Sequence, residues 1–140
     1  MSPALIALVV SVVLRWSLPA GVAEAISEAV ALRGGDTALV LAVCAQESAL
    51  GRTRAPLCGA HGRSVGKAPE DQARIAARAF PASASRRAWS SRLVLWRCGF
   101  DAECRVTTGA AYARNVLWLR DRLARAASTT HHNENSNAPR

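Results

Sequence analysis

Between Asp36 and Gly51 the chain reads Thr-Ala-Leu-Val-Leu-Ala-Val-Cys-Ala-Gln-Glu-Ser-Ala-Leu. Asp36 is a good helix N-cap, and the apolar residues from 38 to 45 point in every direction around a helical circumference rather than along one stripe. A helix that is apolar all round must be enclosed by other elements. This segment is therefore expected to be the central helix of one domain, with the remaining elements forming a jacket around it. With 140 residues, half of them apolar, the chain has enough material for one such domain and too little for two.

A single carboxylate interrupts the pattern. Glu47 is the only acidic residue between Asp36 and Glu70, and it falls where the apolar helix is about to end. Beside apolar walls the charged form of a carboxyl group is disfavoured, so its pKa is expected to rise and the acid to be able to donate a proton near neutral pH. Protonating a glycosidic oxygen requires such a group. The competing reading is a solvated glutamate on the last turn of a helix.

Four further segments carry helical signals. Residues 20–33 follow Pro19 and stop at Gly34-Gly35. Glu70 and Asp71 open a helix to about Phe80, with Ile75, Ala76 and Phe80 on one side. Residues 86–97 carry Trp89, Leu93 and Trp96, and residues 108–127 repeat Tyr112, Val116, Leu119 and Leu123 at helical spacing. Residues 51–68 and 98–104 read as loops and 81–85 as a linker. Residues 128–140 are polar, include His131 and His132, and are expected to be disordered. The expected fold class is mainly α, a helical domain with long loops and little or no sheet.

The N-terminal run MSPALIALVVSVVL is uncharged and apolar, and Arg15-Trp16 follow it. It has the length of a signal-peptide core and falls short of the ~20 residues of a spanning helix. Residues 1–17 are expected to be a signal peptide or membrane anchor, residues 18–127 the domain; a buried first helix is the alternative. The four cysteines, Cys44, Cys58, Cys98 and Cys104, include no Cys-x-x-Cys pair and have no histidine at zinc-ligand spacing. Two disulfides formed in an oxidising compartment account for them more simply than a metal. Three connectivities are open, and the two local closures, Cys44–Cys58 and Cys98–Cys104, are the favoured ones.

Eighteen basic residues, seventeen of them arginine, against ten acidic ones give a formal charge of +8. That sign suits a polyanionic partner such as nucleic acid, an anionic membrane or a phosphate-rich cell wall. A GC-rich genome also writes arginine freely, which weakens the argument for any single one.

Read together, Gln46-Glu47-Ser48, Gly59-Ala60-His61-Gly62, Leu95-Trp96-Arg97-Cys98-Gly99 and Tyr112-Ala113 resemble, in order and spacing, the soluble lytic transglycosylase family of the lysozyme-like superfamily. The resemblance covers about residues 18–126. Its signature is a helix ending in Glu-Ser, with Gly-Ala-x-Gly twelve residues past the glutamate, as from Glu47 to Gly59 here. Trp96 stands at the aromatic position of an Ala-Tyr-Asn-x-Gly segment and Gly99 at its glycine. Two positions depart from the family: Val65 stands where a substrate-binding glutamine is usual, and Arg97 where asparagine is.

The resemblance implies a lysozyme-like domain (α+β superfamily) that cleaves peptidoglycan glycan strands between N-acetylmuramic acid and N-acetylglucosamine, with Glu47 as acid and then base and a 1,6-anhydro product. Ser48, Gly59, Ala60, Trp96, Gly99 and Tyr112 would bind or line the substrate, Ser48 alternatively bracing the backbone after Glu47. Tyr112 is expected within reach of the Glu47 carboxyl. Trp89 and Trp118 are assigned to core packing, and His61 to a solvated position. No cofactor, metal or specific nucleic acid is expected, and a monomer is. The protein would be exported (periplasmic, anchored through residues 1–14, or secreted), or phage-encoded and acting at a host wall. The rivals are a degenerate member of the same fold that binds wall without cleaving it, and a basic helical protein that holds nucleic acid through Arg114, Arg120, Arg122 and Arg125.

Overall fold

The computed structural model describes residues 1–62 and 64–136 and consists of seven helices: α1 (Pro3–Leu14), α2 (Val22–Arg33), α3 (Thr37–Ser48), α4 (Pro69–Ala79), α5 (Arg86–Cys98), α6 (Ala102–Val106) and α7 (Thr108–Ser136). Among the described residues strand pairing is confined to an isolated antiparallel bridge, Gly35 to Pro81. The chain is mainly helical, as its patterning requires.

α3 is the axis. Every residue from Ala38 to Ala45 is buried, and α2, α4 and α7 pack around it. Its start is fixed three ways. The Asp36 side chain accepts from the Leu39 amide at 2.8 Å, supplying one of the orphan N–H groups with a partner. The same carboxylate receives Arg120 of α7 through Nε and Nη2, at 3.2 and 2.9 Å. The Asp36 amide donates to the Phe80 carbonyl at 2.9 Å, beside the bridge. Gly35 sits so close to α4 that a side-chain carbon there would lie 2.9 Å from Ala77 backbone atoms. The α2–α3 turn can seat on α4 because nothing projects from that position.

α4 presents Gln72, Ala73, Ala76 and Ala77 inward, small residues apart from the glutamine, which let α2 approach closely. α5 begins at Ser85, whose hydroxyl accepts from Ala88, and buries Trp89 and Leu93. The Trp89 indole N–H donates to Pro81 at 2.8 Å, and Arg120 lies over its ring at 5.0 Å.

The loop expected at 98–104 gives way at Ala102 to α6, a short helix capped by Asp101, whose carboxylate accepts from Cys104 at 2.9 Å. Five residues between two cysteines are too few for periodicity to register. α7 continues to Ser136, through most of the segment expected as a disordered tail; residues 137–140 lie outside the described residues. The continuation is helped locally by Thr129 and Thr130, whose hydroxyls donate to the carbonyls one turn back.

α1 packs on α2 and α7 with Ile6, Val9 and Val10 fully buried, and the Ser27 hydroxyl donates to the Met1 carbonyl at 2.9 Å. Here the run read as a signal peptide or anchor takes the place of a first helix of the domain. Its other face leaves Leu8 and Val12 exposed. Among the described residues no helix is long and apolar enough to cross a membrane.

Candidate active site

Glu47 lies on the last turn of α3, half-buried. After it the helix unwinds through Ala49 and Leu50, both with positive φ (51° and 57°), a conformation that non-glycine residues adopt at some cost. Three attachments fold the following loop back over the helix end. Cys44, one turn before Glu47, is bonded to Cys58. The Ser48 hydroxyl donates to Leu57 at 2.6 Å and accepts from the Gly51 amide at 2.8 Å. Gln72, wholly buried in α4, receives the amides of Cys58 and Ala60 at 3.3 and 3.0 Å and donates to the carbonyls of Ala60 and Gly66, both at 3.0 Å. The disulfide restrains the unfolded chain, worth up to about 3 kcal/mol for a loop of this size in the chain-entropy model. The glutamine amide meets two backbone donors and two acceptors at once, so that a buried turn of loop keeps its polar groups satisfied.

This folding-back sets Gly59 against the acid. Gly59 has φ +75°, and a side-chain carbon there would collide with the Glu47 carboxyl. Only glycine meets both demands, a left-handed backbone and no side chain where the Glu47 carboxyl lies. On the other side the Tyr112 hydroxyl of α7 donates to Glu47 Oε1 at 2.8 Å. Burial, then the Glu47 charge and this hydrogen bond, push the Tyr112 pKa far above its ordinary value, with Arg97 opposing slightly. The tyrosine therefore keeps its proton throughout the working pH range and remains a donor to a carboxylate and an acceptor from a carboxylic acid.

A cleft of about 320 Å³ opens at Gly59, lined also by Ala60, His61, Ile75, Trp96 and Gly99 among others. Trp96 is held in place from behind: its indole N–H donates to the Cys58 carbonyl at 3.0 Å, and its ring meets Phe80 at a centroid distance of 5.3 Å, tilted by 57°. The second disulfide, Cys98–Cys104, closes the rim next to Gly99. Behind it Gly109 is packed so tightly that a side-chain carbon would lie 2.7 Å from the Cys98 sulfur.

Both disulfides join the cysteines favoured from the sequence. Gly59, Ala60, Trp96 and Gly99 line one cleft, and Glu47, with Tyr112 bonded to it, lies against Gly59. Two expectations need correction. Ser48, a candidate substrate-binding residue, is buried with its hydroxyl engaged by backbone groups, so it takes the bracing role. Trp118, assigned to the core, is 59% exposed, because it lies off the stripe formed by Val116, Leu119 and Leu123. Gln72 was passed over altogether. The signal was present: a glutamine on the same inward face as Ala73, Ala76 and Ala77 is a polar group on a buried stripe, which must have partners.

The other carboxylates near the cleft have local duties. Asp101 caps α6, Asp71 lies 3.6 Å from Arg74, and Glu70 is exposed at the start of α4. Among the described residues no group of three or more His, Cys, Asp or Glu side chains is arranged to hold a metal ion. The arrangement sets one carboxyl group, with a tyrosine hydroxyl as its partner, against the wall of the cleft. The two disulfides point to an oxidising, exported setting. Comparison with protein-family models, with curated proteins and with solved structures finds no match.

Proposed function

We propose that the protein is a lytic transglycosylase with a lysozyme-like fold, acting on peptidoglycan strands outside the cytoplasm. The observation that carries this reading is the Glu47 carboxyl, contacted by the Tyr112 hydroxyl and lying against Gly59, which lines the Trp96 cleft. Glu47 as the acid protonates the oxygen between N-acetylmuramic acid and N-acetylglucosamine, and the anomeric C–O bond breaks. The substrate's own acetamido oxygen supports the charge developing at the anomeric carbon. The Glu47 carboxylate then removes the proton of the sugar's 6-hydroxyl, whose oxygen closes onto the anomeric carbon. The acid is regenerated, no water is consumed, and the product is a 1,6-anhydro sugar. One carboxyl group is enough, whereas inverting hydrolysis wants a second carboxylate roughly 6.5–9.5 Å away to activate water.

Tyr112 suits a group that changes protonation state twice per cycle, since its hydroxyl pairs with either form. A wall-binding protein of the same fold without turnover is the second reading, favoured by Val65 at the position of the family's glutamine. The nucleic-acid reading loses one of its four arginines, because Arg120 is committed to Asp36 and Asp121. Mass spectrometry of muropeptides after incubation with purified glycan tests all of these. Anhydro products support the transglycosylase, products heavier by one water indicate a hydrolase, and intact strands overturn the enzyme reading.

A further inference from the structure

In α1, Ala4, Ala7, Leu8, Ser11 and Val12 recur at the spacing of one helical face, and all of them are exposed. Leu8 and Val12 are 44% and 55% exposed, on a helix of 12 residues that carries no charge. The opposite face, with Ile6, Val9 and Val10, is the one that seats α1 in the domain. An outward helix face is ordinarily polar, and an apolar one left open marks a contact site.

The outward stripe of α7 is of another kind. Arg114, Trp118, Arg122 and Arg125 follow one another three or four residues apart and are all exposed. The Arg122 guanidinium lies 4.8 Å from the Trp118 ring. Among the described residues no ion pair engages Arg114, Arg122 or Arg125, nor Arg15, which directly follows α1.

The two faces are neighbours. α1 packs on α7, and Leu14 and Trp16 at the end of α1 line one cleft of about 360 Å³ together with Trp118. Arg52 lies 5.0 Å from the Trp16 ring. Apolar side chains, two indoles and unpaired arginines thus meet on the side where α1 adjoins α7, whereas the exposed acids Glu24 and Glu28 belong to α2.

We propose that this side is a contact surface for an anionic phospholipid membrane, on which the folded domain lies with α1 in the plane of the interface. The outward face of α1 enters the boundary between headgroups and acyl chains, as an interfacial helix does. Trp16 and Trp118, each an apolar body with one N–H, suit headgroup depth, and the arginines pair with lipid phosphates. Nucleic acid would engage the arginines and leave Leu8 and Val12 in water, so the apolar face decides for lipid. The inference is independent of the proposed function, since none of these residues lines the Trp96 cleft.

The test is co-sedimentation of the full chain with vesicles of phosphatidylglycerol and phosphatidylcholine in equal parts, and with vesicles of phosphatidylcholine alone. Binding to the first and not to the second is expected. Leu8→Ser with Val12→Ser should weaken it about tenfold, the scale of two partly exposed apolar side chains losing their lipid contact. Arg114→Gln with Arg122→Gln should weaken it about 25-fold, at roughly fivefold per arginine near the surface. All four side chains are exposed, so the melting temperature should hold in both variants. Arg78→Gln with Arg87→Gln removes the same charge from α4 and α5 and should cost far less. No binding of wild type to the anionic vesicles, or an equal loss from this control pair, overturns the proposal. Unchanged vesicle affinity in the Leu8–Val12 variant overturns it as well, and a short DNA duplex that then competes with the vesicles assigns the arginine stripe to nucleic acid.

Discussion

The two ends of α3 share one buried helix and are held in opposite ways. At the start, Asp36 has an amide and an arginine as partners, and its own amide is bonded to the next element. Every polar atom of Asp36 has a partner inside the protein. At the far end, Glu47 has a single side-chain partner among the described residues, Tyr112, and lies against the bare backbone of Gly59. Around it the polar work is done by others, by Ser48 and Gln72 for the backbone and by Cys44–Cys58 for the covalent tie. A carboxylate with full internal pairing contributes to stability; one with bonding capacity to spare beside a cleft is available for chemistry. The contrast predicts that substitutions at one end change stability and leave catalysis intact, with the reverse at the other end.

The largest effect is expected from Glu47→Gln. An amide has no proton to give the glycosidic oxygen, so turnover should fall by at least the ~10²–10⁴-fold worth of a positioned acid, while the melting temperature stays close to wild type. Muropeptide release measured beside thermal unfolding checks both halves; activity within a few-fold of wild type removes Glu47 from the acid role.

Asp36→Ala should do the opposite. It removes an N-cap, worth about 1 kcal/mol, and leaves the half-buried Arg120 without its main partner, so a total destabilisation of about 2–4 kcal/mol is expected. Denaturant unfolding measures it, and kcat on glycan should be unchanged wherever the protein is folded. A lost kcat in folded protein would break the contrast.

Tyr112→Phe comes next. It keeps the ring and removes one hydrogen bond to a charged group, roughly 1.5–3 kcal/mol, which corresponds to a fall in turnover of about ten- to a hundred-fold if the bond is fully used in the transition state. A near-normal rate with slightly altered stability would make Tyr112 a packing residue only.

The smallest effect concerns pH. Burial alone would raise the Asp121 pKa, but hydrogen bonds and charge from Arg86 and Arg120 outweigh it, and the carboxyl titrates below its ordinary value of 3.8. A depressed folded-state pKa means that the stabilisation is fully present above the unfolded value and is lost as pH falls through the folded one. Asp121 is a third exposed, so solvent screens the pair and the contribution is small. Wild type should lose slightly more melting temperature than Asp121→Asn between pH 5 and pH 3; parallel curves would show that the pair contributes nothing.

Much of this was legible in the chain itself. The apolar circumference identified α3 as the axis, and the lone acid at its end was visible without coordinates. The cysteine pairing followed from short spacings, since Cys44 and Cys58 bracket the turn that the helix must make. What escaped was of another kind. Ser48 looks the same in sequence whether its hydroxyl meets a sugar or the Leu57 carbonyl, because the choice depends on how the loop returns. Gln72 acts across fourteen residues on the Cys58 amide, a long-range pairing that no local pattern encodes. Trp118 was assigned by its chemistry, although its position off the α7 stripe already argued for solvent. The packing of α1 against α7 joins distant parts of the chain, which the sequence alone does not reveal.

That adjacency also bears on the order in which the molecule can be made. α1 ends at Leu14 and α7 begins at Thr108, so 108 − 14 = 94 positions must be added before the first helix has the start of its last neighbour. At synthesis rates of about 5–20 residues per second, the interval is roughly 5–20 s. Throughout it, an uncharged apolar helix keeps the face that α7 will cover open, with α2 beside it. A segment covered last in folding is the one that stays readable longest, and any factor that binds apolar helices competes during those seconds with α7 for the same face.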